Sequence, residues 1–200
     1  MSKVCLTLTD GFRSAPATQL AKALSEYLEI EDPQLLFRKS ADQLPQFIQL
    51  LGDVVAWAPL SVPVAAFFTR LAIKAADTTW DMIHDALKKE EVKPLAGVSN
   101  GLAKAVKAIP ESATISIGLN VPDDNFGTIV QITDTSPENI ALCIARFVSK
   151  IEPIAEAIGE EIERRGIPLG EVHLEFLDNG KAIIRWTSYP DLVEHERLIL

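Results

Sequence analysis

The stretch TSPENIALCIARFVSKIEPIAEAIGEEIERRG, residues 135–166, decides how the rest of the chain is read. Thr135-Ser136-Pro137-Glu138 offers an N-cap hydroxyl, a proline in the first turn and a glutamate able to reach back to the cap. Beyond it Ile140, Ile144, Phe147, Val148, Ile151, Ala155, Ile158 and Ile162 fall at steps of three and four, which draws one apolar stripe along a helix. A helix with one greasy stripe must bury it, so a sheet is expected beneath it. The stripe keeps its phase across Pro153, which predicts a kink there, and Gly166 is expected to end the helix.

Hairpins are expected on both sides. Ile115 to Val121 and Thr128 to Thr133 alternate across a turn containing Asp123, Asp124, Asn125 and Gly127. Val172 to Leu177 and Lys181 to Thr187 meet at Asp178-Asn179-Gly180, where Asn-Gly tolerates the positive φ angles of a primed turn. At the other end of the chain, Val4 to Thr9 reads as a strand closing on Asp10-Gly11, followed by a helix carrying Leu20, Ala21, Leu24 and Leu28 and by a short strand over Leu35 to Arg38. Residues 41–89 read as helical and apolar, divided by Pro59 and Pro63, and a short helix is expected over Leu102 to Ile109. The fold class that follows is α+β: a mixed, mainly antiparallel sheet with helices packed on one face and a helical insertion between Ala41 and Ile109. The Pro110-Glu111-Ser112 break suggests a boundary between 1–110 and 111–200, within what is equally readable as one compact domain.

Composition narrows the function classes. With 48% hydrophobic and 24% charged residues in a chain of 200, the sequence can bury a sizeable core. Cys5 and Cys143 sit far apart in apolar runs, which favours free thiols and a reducing compartment, and no secretory signal opens the chain, so the expected location is cytoplasmic. The net charge of −9 falls entirely in the second half, where 16 acidic residues after Pro110 face 7 basic ones. Such a surface repels phosphate backbones, and nucleic acid is not expected as a partner.

Gly97-Val98-Ser99-Asn100-Gly101 fits the G-x-S-x-G spacing of a nucleophile elbow, and Asp123, Asp124 or Asp134, then His173, follow in the chain order of a serine hydrolase. The competing reading makes Ser99 or Asn100 the cap of the helix beginning at Leu102. Asp81, His84 and Asp85 share a helical face, and Asp123, Asp124 and Asn125 could offer oxygen to a hard cation, yet neither set has the ligand number or spacing of a metal site. Asp10 to Ser14 stands at the end of a strand but lacks any phosphate-binding glycine pattern. No metal and no cofactor are expected.

The most distinctive stretch is VVAWAPLSVPVAAFFT, residues 54–69, which carries no charge between Asp53 and Arg70. Sixteen residues broken by two prolines make a poor membrane span, so membrane-surface attachment is the minor reading. Burial in the protein's own core, or cover by a second copy or a protein partner, is expected instead. The expected function is therefore a non-catalytic interaction or regulatory protein that self-associates or binds a protein partner through Trp57, Phe67, Phe68 and Trp80. The alternatives are a hydrolase using Ser99 and a peripheral membrane binder.

Overall fold

The computed structural model describes residues 2–9, 12, 14–36, 46–73, 80–109, 113–120, 128–165, 172–177, 181–187 and 193–199. In chain order these form β1 (Cys5–Thr9), α1 (Ser14–Leu24), β2 (Gln34–Leu36), β3 (Gln46–Gly52), α2 (Val54–Trp57), α3 (Ser61–Ile73), α4 (Trp80–Leu87), α5 (Lys93–Lys107), β4 (Ala113–Leu119), β5 (Thr128–Ile132), α6 (Pro137–Ser149), α7 (Ile151–Arg165), β6 (Val172–Phe176), β7 (Ala182–Thr187) and β8 (Glu194–Ile199). The strands make one eight-stranded mixed sheet in the order β2-β1-β3-β4-β5-β6-β7-β8. The class is α+β.

Strand registers sort the side chains onto two faces. Leu6 pairs with Leu50, Leu50 with Ile117 and Ile117 with Val130, while across the later strands Val172 pairs with Trp186 and Leu174 with Ile184. These side chains share one face and are nearly all excluded from solvent, forming with the apolar stripes of the helices a single core running from Val4 to Ile199. The opposite face carries Thr7, Gln49, Gln131, His173, Glu175 and Arg185, the polar set expected of a sheet surface without helical cover. The described helices contact one another as one layer, with α5 against α1 and α6, and α6 against α3, α4 and α7.

The expectations divide sharply at the middle of the chain. Both hairpins form, with β4 antiparallel to β5 and β6 antiparallel to β7, and the turn at 178–180 lies outside the described residues. Ser136 caps α6 by accepting from the Asn139 amide, but Glu138 does not reach back to the cap: it meets His84 Nδ1 at 2.8 Å. The long helix is interrupted at Lys150, where α6 ends and α7 begins, so the break precedes Pro153 instead of centring on it.

Residues 41–89 are not wholly helical. Gln46–Gly52 is β3, which lies inside the sheet, antiparallel to β1 and parallel to β4, so the expected helical insertion supplies a central strand. Its doublets Phe47-Ile48 and Leu50-Leu51 imitate helical spacing, whereas the strand buries Ile48 and Leu50 under helices and leaves Phe47 and Leu51 half-covered on the other face. Glu194–Ile199 adds strand β8, antiparallel to β7 at the sheet edge.

Polar contacts fix α7 onto that edge. Arg197 donates to the Ala157 carbonyl at 3.2 Å and to Glu160 at 2.5 Å. Arg165 sits 5.3 Å over the Trp186 ring, which stacks on His195 at 5.5 Å between centroids. Glu161, 5% exposed, holds Arg165 at 2.7 Å and also binds Arg164. The hydrogen bonds from Arg164, against the opposing cost of burial, bring the Glu161 carboxyl from 4.5 down to about 2. A carboxylate whose folded value lies below its unfolded one stabilises the fold fully above the ordinary carboxylate range and loses that contribution as pH falls toward 2. Glu161→Gln is expected to lower stability at pH 7 by about 1–2 kcal/mol, since hydrogen bonds to a charged group are lost. Urea titrations between pH 7 and pH 2 should show a shallower acid decline for the variant than for the natural chain.

Candidate functional site

The hydrolase constellation does not assemble. Gly97 to Gly101 lies within α5, which starts at Lys93 with Pro94 in its first turn, so the segment is neither a strand-to-helix elbow nor the cap of a helix at Leu102. Ser99 is fully buried and its hydroxyl donates to the Leu95 carbonyl at 2.7 Å, one turn back in the same helix. His173 stands on β6, on the sheet face away from the helices. Asp134 accepts from the Ser136 amide at 2.9 Å just before α6. Gly97 has a packing reason instead: a Cβ there would overlap the Tyr27 ring, whereas one on Gly101 would make only ordinary contact, 3.7 Å from Leu24 Cδ2. Glycines four apart share a helix face, and here that face admits α1 and the turn after it.

His84 is occupied by a hydrogen bond to Glu138 and Asp85 by an ion pair with Lys88 at 3.1 Å. Among the described residues no three His, Cys, Asp or Glu side chains converge on a metal position. Asp123, Asp124 and Asn125 lie outside the described residues, as do Asp10, Gly11 and Arg13 of the loop after β1.

The aromatic residues of the apolar stretch part company. Trp57 and Phe67 are wholly buried: Trp57 packs edge-on against Phe147 at 5.3 Å and donates from Nε1 to the Gly118 carbonyl at 3.1 Å. Phe68 is half-buried and edge-on to Phe67 at 5.6 Å, whereas Trp80 on α4 is 55% exposed. The α2–α3 segment, Val54–Ala72, is long and apolar, yet it is only 39% buried. Its inner side holds Trp57, Leu60, Val64, Phe67 and Leu71 in the core. Its outer side presents Val55, Ala58, Pro59, Val62, Ala65 and Thr69 to solvent, with Val55 67% and Val62 76% exposed. Steps of three and four place those six residues along one line of the helix surface.

A second feature is concave. β5 and β6 run parallel and pair through Thr128↔Val172 and Ile129↔His173, with no described pair beyond. Past that point the strands part, and the gap is a cleft of about 320 Å³ at their carboxyl ends, lined from α6 by Cys143 and Arg146. Burial pushes the Cys143 thiol above its ordinary value, opposed by the Arg146 charge and reinforced by Asp134, so the thiol is protonated at neutral pH and a weak nucleophile. Arg146 is half-buried and makes no ion pair among the described residues. Glu175 on the cleft wall is bound by Arg185, which spends its charge locally. Sequence reading passed over Arg146. Its spacing of three from Cys143, off the buried stripe of α6, was the available signal, but the parting of β5 and β6 that gives the pair a cavity leaves no mark in the sequence.

No protein-family model, no curated protein and no solved structure matches the chain.

Proposed function

We propose that this protein is a non-catalytic, self-associating interaction module that docks a second copy of itself along the outer side of α2 and α3. The observation that carries this reading is the exposed line Val55, Ala58, Pro59, Val62, Ala65 and Thr69, uncharged for sixteen residues between Asp53 and Arg70. A two-fold interface sets a surface against itself, so every charge within it meets its like. A surface without charge escapes that repulsion, which matters in a chain of net charge −9. The charges that bound the line are held within the chain, Arg70 by Glu91 and Asp53 by the Ala56 amide at the start of α2, so neither intrudes on it. Ser99, the nucleophile suggested by the glycine–serine–glycine spacing, is fully buried and gives its hydroxyl proton to the Leu95 carbonyl within α5.

Sedimentation equilibrium tests the reading. The natural chain is expected to dimerise, and Val62→Glu to weaken the dimer by about tenfold or more, because it opposes two carboxylates near the axis. A natural chain that stays monomeric across a wide concentration range would remove the proposal. The same apolar line also supports attachment to a membrane surface. Co-sedimentation with neutral lipid vesicles, abolished by Val62→Glu in a chain that does not dimerise, would favour that second reading instead.

A further inference from the structure

We infer that the cleft between β5 and β6 binds a small monoanion with an apolar body, an aryl or branched-chain carboxylate, anchored through Arg146. It shares no residue with the α2–α3 line and does not depend on self-association.

The cleft stands where open sheets bind ligands, beyond the carboxyl ends of adjacent parallel strands. Its volume of about 320 Å³ suits a molecule of modest size. Leu174 and Phe176 line it as apolar wall from the helix-covered face of the sheet, and Ile129, Gln131 and His173 line it from the other. Arg146 decides the charge. Arg146, half-buried on α6 and without an ion pair among the described residues, is unusual in a protein so rich in acid, and its planar guanidinium fork matches a carboxylate through two parallel hydrogen bonds. The acids nearby do not claim it: Glu175 is held by Arg185, and Asp134 takes the Ser136 amide. Inorganic phosphate would meet the cation but leave the apolar wall unused. An uncharged ring would fill the wall and leave the cation unmatched. A carboxylate on an apolar body satisfies both.

Cys143 in the cleft gives a direct readout. In a Cys5→Ser background, which leaves one thiol, alkylation of Cys143 by iodoacetamide is followed by intact mass with benzoate, benzamide or inorganic phosphate added. Amide shifts of Ile129, His173 and Leu174 report occupancy independently. Benzoate is expected to slow alkylation and to move those shifts along a saturating curve, and Arg146→Gln to weaken its binding about tenfold or more through loss of the bidentate pair. Arg146→Lys, which keeps the charge without the fork, is expected to fall between the two and also serves if Arg146→Gln does not fold. Benzamide protecting as well as benzoate would overturn the inference, because Arg146 would then not be the anchor. Phosphate protecting as well would overturn the apolar half of it, and no protection or shift with benzoate would overturn it whole.

Discussion

Gly118→Ala is expected to cost about 3–5 kcal/mol, enough to leave a marginal domain largely unfolded. Gly118 pairs with Ile129 in the β4–β5 ladder. A Cβ there would overlap the Thr128 carbonyl oxygen and come within 2.7 Å of its carbon and 3.1 Å of Ile129 Cα. The obstruction is backbone, which cannot swing aside as a side chain does, so relief requires moving two strands at the middle of the sheet. The Gly97 position offers a useful contrast, since the atoms in the way there belong to the end of the Tyr27 side chain. Urea denaturation measures both. A Gly118→Ala protein within about 0.5 kcal/mol of the natural chain, the range of an ordinary surface change, would show that β4 and β5 do not approach so closely.

Trp57→Ala is expected to cost a similar amount, about 3–5 kcal/mol, as large aromatic truncations in a packed core do. The side chain is fully buried, stands edge-on to Phe147, and gives its indole proton to the Gly118 carbonyl. Trp57→Phe separates the parts: it keeps most of the packing and removes the hydrogen bond, for an expected loss of about 1 kcal/mol plus the smaller ring's cavity. Because Trp57 and Gly118 touch, their substitutions should not add, and a double-mutant cycle that gave simple additivity would contradict the contact. The result would also separate two roles of the apolar stretch, since Trp57→Ala should damage folding while Val62→Glu should damage only association.

Where the sequence could be read, a single rule applied locally. Asn179-Gly180, the alternation in Val172 to Phe176 and the Ser136-Pro137 cap each announce an element through neighbouring residues, and β6, β7 and α6 formed as expected. The misreadings came from residues whose role is set from afar. Phe47, Ile48, Leu50 and Leu51 look helical because a central strand is apolar on both sides, and only its partners β1 and β4 reveal which side faces the helices. The helix expected from Leu102 begins instead at Lys93, where Pro94 sits in the first turn, the place where proline favours a helix. In β8 the charges of Glu194, Glu196 and Arg197 hid an edge strand whose Ile199 is buried. The cleft was the least legible, because neither Cys143 nor Arg146 is distinctive until two strands separate in front of them.

The β3–β4 pairing has a consequence for how the chain is made. Gln46 lies beside Ala113, so the central strand leaves the ribosome 67 residues ahead of the neighbour that covers one of its two edges. At about 5–20 residues per second that is a delay of roughly 3–13 s. During it, an apolar strand with an unpaired flank is open to any passing chain. Until residues 113–119 become available that flank has no partner in the sheet, and the order of the strands alone sets the length of the wait.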